Sequence, residues 1–324
     1  LEKQAIQKVF RGTYMKTTGG AKKRKRRSAE ECIFIISFII LPIAYFLVFY
    51  VYVNLNSFVM GFQLRENGQT VWTLDNFKRF FTELSESGSE FRIIFRNTFI
   101  TFAINLVIFP WGLVVSYFLY KKIWGAKIFR VLFCLLMIIP SVVTTTVYKE
   151  MVGVNGFIAK GVQEMLGLDY TPELLGSTQF ANYTIWAKLL WASFTGDIII
   201  WGGAYARIPD SVLEAAKLDG VGWVREIVSI IVPLIWPTFI LKYVILFSGI
   251  FSSSGDVFLL TQGEYGTNTF ANWMYMQVYQ NRGSVLSNAY NYLAAVGLLV
   301  TAVAITISTS IRKIANKINE GVTY

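Results

Sequence analysis

Histidine is absent from this sequence of 324 residues, and cysteine occurs only twice. Without histidine the chain excludes His-based catalytic triads, imidazole proton relays and histidine-ligated zinc sites. Cys32 and Cys134 lie at or inside apolar segments, far from any metal-ligand spacing, so they indicate no disulfide framework. The sequence therefore contains little that points to metal chemistry or to nucleophilic catalysis.

Charged residues are also scarce, at 15% of the chain, whereas 54% of the residues are hydrophobic. A soluble domain of this size normally carries about a quarter charged residues. The apolar residues form six continuous runs of about 20 residues, the length that a helix needs to cross the hydrocarbon core. The sequence predicts an all-α polytopic membrane protein with six transmembrane helices, near residues 33–53, 97–120, 128–148, 183–206, 236–259 and 289–311.

The formal net charge of +10 is unevenly distributed, because ten of the thirty Lys and Arg precede Ile33. The densest run, K-K-R-K-R-R from Lys22 to Arg27, is typical of a topological anchor on anionic lipid and not of a nucleic-acid site. The remaining basic residues favour a cytoplasmic location for both termini. We divide the chain into a basic N-terminal segment (1–32), a transmembrane domain (33–311) and a cytoplasmic tail (312–324). The N-terminal segment is either a helix in the membrane surface or a frayed tail.

A short polar stretch, E-A-A-K-L-D-G, lies in the predicted cytoplasmic loop 207–237, between the fourth and fifth apolar runs. Ser211 and Glu214 have the S-x-x-E spacing of a capping box, which predicts a helix from Ser211 to about Leu218. Gly220 then allows the backbone to turn before a second helix. The pattern indicates a short helix that is tethered at the membrane surface by the spans on either side.

This loop resembles the EAA motif of the permease subunits of bacterial ABC importers, which reads E-A-A-x-x-D-G-A followed by a Phe, an Ile and two prolines. Val221 stands where alanine is usual and Ile227 where phenylalanine is usual, and both stay apolar. The six-run layout extends the resemblance over most of the chain, and the loop sequence is similar to the carbohydrate-uptake branch. The positions that match the motif are Glu214, Ala215, Ala216, Asp219, Gly220, Ile230, Pro233 and Pro237.

The resemblance implies a type I importer permease fold in which the motif helix is a coupling helix that sits in a cleft of a cytoplasmic ATPase subunit. The residues that would then transmit force, without catalysing a reaction, are Glu214, Ala215, Ala216, Asp219 and Gly220. The plainer interpretations are helix capping by Glu214 and a simple turn at Asp219 and Gly220. Ala215 and Ala216 give the helix a thin face that lets a groove wall approach closely.

The resemblance also implies partners: a second homologous permease, two ATP-binding cassette subunits, an extracytoplasmic solute-binding protein, and a sugar or oligosaccharide, including an acidic one. ATP and Mg²⁺ would be bound by the ATPase subunits, with no cofactor in this chain, which is not an enzyme. The chain itself shows no G-x-x-x-x-G-K-[ST] phosphate-binding motif. We expect it in the cytoplasmic membrane of a bacterium, in contact with lipids.

Polar and aromatic residues inside the apolar runs are candidates for a sugar pathway, because intramembrane polar groups are costly and sugars need both hydrogen-bond partners and ring faces. Serine and threonine can instead bond to their own helix. Lys242 is expected to extend to the membrane surface, and Gly202 and Gly203 to serve close helix packing. The candidates are Asn105, Thr145, Tyr148, Trp191, Asp197, Ser253, Asp256 and Asn291, with Trp186 and Trp201 as further aromatic surfaces.

Two other classes of protein remain open at this level. An ion-gradient-driven secondary transporter would normally show inverted repeats and a coupling carboxylate, for which Asp197 is the one reasonable candidate, and no repeat is visible. A membrane scaffold or sensor would transport nothing. ATP-driven uptake by the assembled complex distinguishes the importer from both.

Overall fold

A computed structural model describes residues 29–66, 68–86, 88–193, 197–252, 256–282 and 288–320. The predicted surface helix and the basic run before Ala29 lie outside these residues. The chain divides into two units, residues 1–56 and 57–324. Helix α1 (Ala29–Tyr45) of the first unit passes through a π-helical segment, Phe46–Tyr52, into α2 (Val53–Gly61), whose last five residues belong to the second unit. The stretch Ile33–Gly61 is long and apolar enough to cross a membrane.

A small hairpin that the all-α prediction did not include follows α2 in the second unit. Strands β1 (Gln63–Glu66) and β2 (Gln69–Trp72) pair antiparallel, with Glu66 opposite Gln69 across a two-residue loop. Gly68 has a φ of 79°, as such tight hairpin loops require. The side chain of Asn288 accepts from Arg65 N at 2.7 Å and donates to Arg65 O at 3.1 Å, so it ties the hairpin to the start of the last helix.

Helix α3 (Asp75–Ser85) follows the hairpin, and α4 (Glu90–Tyr120) is the long central helix. The Ser89 hydroxyl accepts from Phe91 N at 3.2 Å, which caps α4 seven residues before the predicted start of this span. With 31 residues, α4 is about 46 Å long and can cross the whole bilayer. It therefore links two separate hydrophobic clusters, one near each of its ends.

The predicted third span, 128–148, is not a single helix. Helix α5 (Ala126–Ile138) and helix α6 (Ser141–Val152) meet at 98°. Pro140 lies between them and has no backbone N–H to continue a helix, and it holds the preceding Ile139 in an extended conformation. The apolar run was predicted correctly, but Pro140 divides it into two helices.

Three of the described helices are long and apolar enough to cross a membrane, or up to five spans if each sharply bent pair counts as one. The second such pair is Trp223–Leu234 with Trp236–Ser248, bent by 87°. The multi-pass membrane architecture is thus confirmed, whereas the full count of six is not reproduced among the described residues. The remaining elements are α7 (Phe157–Leu166), α8 (Ala181–Ala192), α9 (Ile198–Tyr205), α10 (Asp210–Leu218), α11 (Trp223–Arg225), a π-helical segment (Glu226–Ile231), α12 (Val232–Leu234), α13 (Trp236–Ser248), α14 (Val257–Leu260), α15 (Phe270–Gln280) and α16 (Ala289–Glu320).

The two larger clusters of buried side chains that include residues of α4 lie near its two ends. The first surrounds its beginning and joins α3, α4, α15 and α16, with Phe91, Trp273 and Tyr292 among its members. The second surrounds its end and joins α4, α9 and the segment after α10, with Trp201 packed edge-on against Phe109 at 5.5 Å between ring centroids. The second cluster is the platform on which the loop containing α10 rests.

Candidate functional site

Helix α10 carries the E-A-A stretch and ends at Leu218, as predicted. It begins at Asp210, one residue before the predicted start, and the preceding position is Pro209. Proline offers no side-chain acceptor, so the predicted capping box between Ser211 and Glu214 does not form. The fixed φ of Pro209 and the carboxylate of Asp210 in the first turn favour the helix start in its place.

The end of α10 is closed by backbone hydrogen bonds around Gly220, which has a φ of 67°. Val221 N donates to Ala216 O at 3.1 Å, and Gly220 N donates to Lys217 O at 3.2 Å. This pair of bonds is the Schellman arrangement, which needs a residue in the left-handed region directly after the cap residue. The D-G of the motif therefore has a definite structural role: it stops the helix and reverses the chain direction.

The two alanines of the motif differ in exposure, which corrects the expectation that both form one smooth outer face. Ala215 and Glu214 are exposed, but Ala216 is only 4% exposed because it faces the chain itself. Leu218 at the end of the helix is 89% exposed. The outer surface of α10 therefore combines one small side chain, one carboxylate and one projecting apolar side chain.

A buried carboxylate connects the segment after α10 to the end of α4. Glu226 is 5% exposed and lies at the start of the π-helical segment. Its Oε1 lies 2.6 Å from Lys121 Nζ, and its Oε2 accepts from the Tyr117 hydroxyl at 3.0 Å. A buried carboxylate is costly unless it is paired and hydrogen-bonded, and both conditions are met here. Glu226 therefore fastens the segment after α10 to the end of the long helix α4.

Apolar packing reinforces the same connection. Ile227, Ile231 and Ile235 are buried against residues of α4 and α9. Tyr205 at the end of α9 donates its hydroxyl to Leu113 O at 2.7 Å. Ile227, where the EAA motif usually has phenylalanine, is thus a core contact. We call this assembly of α10, the Glu226 network and the apolar packing the coupling platform.

A glycine substitution tests the turn directly. Because Gly220 has a left-handed φ and no atom lies near its added Cβ, Gly220→Ala introduces backbone strain without a clash. We expect a cost of about 1 kcal/mol and amide exchange about fivefold faster across 215–221, measured by hydrogen exchange. Gly222→Ala is the matched control, since Gly222 has a φ of −68° and its Cβ would also meet open space. Equal effects of the two variants would contradict the assigned role of Gly220.

Two ion pairs cross between the predicted fourth and fifth spans. Lys188 of α8 pairs with Asp256, which precedes α14, and Lys242 of α13 lies 2.5 Å from Asp197, which precedes α9. Both aspartates have a left-handed φ, 61° and 50° respectively. Each of the two runs thus contributes one lysine and one aspartate. We call these contacts the crossed ion pairs.

The crossed ion pairs change how two pathway candidates are interpreted. Asp197 and Asp256 are each paired with a lysine through one carboxylate oxygen, so a sugar hydroxyl group would have to share this acceptor group with a cation, and their role in a pathway stays a prediction. Lys242 does not simply extend to the membrane surface, because its side chain is 15% exposed and is bonded to Asp197. Lys188, at 3% exposure, was not recognised from the sequence. A lysine in the middle of an apolar run was the signal that could have identified it.

The other pathway candidates are distributed along the bundle. Thr145 donates to Ser141 O on its own helix at 2.7 Å. Tyr148 donates to Thr184 O at 2.8 Å and stacks on Trp191, with ring centroids 5.7 Å apart. Ser253 lies outside the described residues. The role of these residues in a pathway stays a prediction.

Asn291 and Asn105 lie on different helices from the stacked pair Tyr148 and Trp191. Asn291 near the start of α16 donates to Gln63 O of the hairpin at 2.8 Å, and Asn105 is half-buried on α4. Trp201 is fully buried in the second cluster and offers no free ring face. Trp191, at 40% exposure, combines a partner ring with an accessible surface, and so does the half-buried Trp186, which packs edge-on against Tyr183 at 5.5 Å between ring centroids.

Comparison with known proteins supports the class that the sequence predicted, the permease subunits of ABC importers. No protein-family model matches the chain. Among curated proteins, the probable ABC transporter permease YesP of Bacillus subtilis is 25% identical over 233 residues, covering 70% of this chain and 74% of its own. The multiple sugar-binding transport system permease MsmF of Streptococcus mutans is 23% identical over 207 residues, covering 64% and 69%.

A solved structure gives the corresponding result for the fold. One chain of a bacterial ABC transporter involved in the import of the acidic polysaccharide alginate superposes with a TM-score of 0.71 at 20% identity. The superposition covers 90% of this chain and 96% of that one. At this identity the likeness establishes the fold, and the predicted importer permease fold is confirmed.

Proposed function

We propose that this chain, a transmembrane permease subunit of the ABC importer class, moves a sugar or an oligosaccharide into the cytoplasm by alternating access, driven by ATP hydrolysis in separate subunits. The observation that carries the proposal is the coupling platform: an exposed short helix, stopped by a left-handed glycine and bound to the long helix α4 through Glu226. A structure of this kind converts a push on α10 into a movement of transmembrane helices.

The docking partner of α10 is an ATPase subunit in this proposal. The exposed Ala215 allows a groove wall to approach the helix closely, and the exposed Leu218 supplies an apolar anchor at its end. Glu214 provides a charge for orientation beside them. The proposed coupling residues remain Glu214, Ala215, Asp219 and Gly220. Ala216 supports them as a buried packing contact of α10.

The substrate class follows from the relatives and from the composition of the bundle. MsmF is named for a multiple sugar-binding transport system, and the superposed structure belongs to an importer of an acidic polysaccharide. The exposed Trp191 on its Tyr148 partner is a suitable surface for the C–H face of a sugar ring. An acidic oligosaccharide is included in the proposal.

The remaining parts of the proposed complex are a second homologous permease, two ATP-binding cassette subunits and an extracytoplasmic solute-binding protein. ATP and Mg²⁺ would be bound by the cassette subunits, with no cofactor in this chain. The relevant membrane is the bacterial cytoplasmic membrane, with both termini on the cytoplasmic side, as the distribution of basic residues indicates. The loop that contains α10 then lies in the cytoplasm, on the same side of the membrane as the ATPase subunits.

The direct test is uptake into liposomes that contain the assembled complex. We expect accumulation of sugar that requires ATP inside and the loaded solute-binding protein outside, and that persists when ion gradients are collapsed by ionophores. The chain reconstituted alone should neither hydrolyse ATP nor accumulate sugar. Uptake that survives ATP depletion but stops with the ionophores would favour a secondary transporter, and no uptake of any solute would favour a scaffold.

A further inference from the structure

A second site lies away from the coupling platform, in a cavity of about 390 Å³ between α4, α5 and α9. Most of its lining is apolar, including Ile199 and Cys134. Two basic side chains, Lys122 and Arg130, also line it, and both belong to the end of the bundle that is predicted to be cytoplasmic. The cavity therefore combines an apolar interior with positive charge, next to the predicted lipid headgroup level.

A buried hydroxyl provides an independent observation. Ser116 lines the cavity, is 1% exposed, and its Oγ has no hydrogen-bond partner among the residues that the structure describes. A buried polar atom without a partner is unfavourable, and such atoms are uncommon in folded proteins. Ser116 thus marks a polar position in the wall of an otherwise mostly apolar cavity.

The two cations have donors to spare. Arg130 Nη2 donates to Leu119 O at 3.3 Å, which uses one of the five guanidinium N–H groups and orients the side chain. Lys122 is exposed and has a φ of 54°, in the short turn between α4 and α5. Together they offer a bidentate donor and a point charge, the combination that recognises a phosphate group.

We propose that this cavity binds one anionic phospholipid of the surrounding membrane, with its phosphate on Lys122 and Arg130 and an acyl chain along the apolar lining. Basic pockets between transmembrane helices on the cytoplasmic side are known to suit anionic headgroups. The apolar interior favours a lipid over free phosphate, because a phosphate ion would leave the apolar part of the cavity unfilled. The proposal does not depend on the identity of the transported sugar.

The charge contribution is tested by native mass spectrometry of the full chain, taken from bilayers of phosphatidylglycerol and phosphatidylcholine. We expect one retained phosphatidylglycerol and no retained phosphatidylcholine. The double substitution Lys122→Gln with Arg130→Gln should weaken retention about thirtyfold, the effect of removing two interfacial cations. Lys127→Gln is the matched control, since Lys127 is an exposed basic residue of α5 outside the cavity lining, and it should bind like the unmodified protein.

The steric contribution is tested without any change of charge. Gly202 lines the cavity, and a Cβ built on it meets no atom within 4 Å, so Gly202→Leu should fold normally and fill the space of the acyl chain. Gly203→Leu is the control, because its Cβ also meets open space and it does not line the cavity. These distances also show that neither glycine serves close packing within the described chain, contrary to the expectation from the sequence.

The outcomes separate the proposal from its competitors. Loss of phosphatidylglycerol with Gly202→Leu but not with Gly203→Leu supports it, together with the loss in the double substitution. Equal retention of both lipids, or retention unaffected by the cavity variants, would overturn it. Cross-linking of Cys134 to the second permease in a Cys32→Ser background would instead assign the cavity to a protein contact, and would also overturn it.

Discussion

Replacing Ala215 with phenylalanine is expected to eliminate most of the ATP-driven uptake while leaving the chain inserted and folded. Ala215 is exposed on α10, so the larger side chain disturbs no internal packing. If a groove wall of the ATPase subunit lies against this position, the overpacking should cost about 1–3 kcal/mol of binding. Attachment of the ATPase should therefore weaken by about 5- to 150-fold. Co-purification and the binding affinity of the ATPase measure this effect.

Two variants make this result specific. Ser229→Phe places the same ring at an exposed position of the same loop, but on the π-helical segment after α10, and it should leave ATPase binding unchanged. Ala216→Phe targets a buried position and should instead lower the stability of the chain itself. If Ala215→Phe and Ser229→Phe reduce ATPase binding equally, the surface of α10 has no special role.

The second large effect is expected at the buried member of the crossed ion pairs. Lys188→Met leaves Asp256 without its cation in an apolar bundle, and removing one partner of a buried pair costs about 3–5 kcal/mol. We expect the lower end of this range, because the Asp256 side chain retains 23% exposure. The loss should appear in thermal unfolding of the purified chain and in its yield from membranes.

A double substitution distinguishes pairing from simple packing. Lys188→Met with Asp256→Asn removes both charges, and asparagine tolerates the left-handed φ of 61° at this position. Most of the lost stability should return. Lys242→Met is the comparison in the more exposed pair, where Asp197 is 39% exposed, and it should cost only about 1 kcal/mol. If the double variant is as unstable as Lys188→Met, the ion pair is not the cause.

The sequence predicted the parts of the structure that rest on local patterns. Apolar run length identified the multi-pass class, and the E-A-A stretch identified α10 and its end at Leu218, because helix length and a left-handed glycine are both local properties. The capping box failed because Pro209 occupies the cap position, which makes a side-chain cap impossible there. A proline likewise divided the third run, where hydropathy alone suggested a continuous span.

The contacts between distant elements were not predictable from the sequence. The bond from Tyr117 to Glu226 joins residues 109 positions apart, and the pairing of Lys188 with Asp256 depends on how two helices lie next to each other. Periodicity indicates which face of a helix is apolar, but it does not indicate which partner a buried charge finds. A buried glutamate and a buried lysine in apolar surroundings were detectable as anomalies, while their partners needed the fold.

The most direct measurement is site-specific cross-linking from α10 in the assembled importer. In a background of Cys32→Ser and Cys134→Ser, Ala215→Cys should cross-link to an ATPase subunit through a short bifunctional reagent, and the cross-link should arrest ATP-driven uptake. Ser229→Cys should not form it. A complex that transports sugar at full rate with no cross-link from Ala215→Cys, or with cross-links only from Ser229→Cys, would contradict the role assigned to α10.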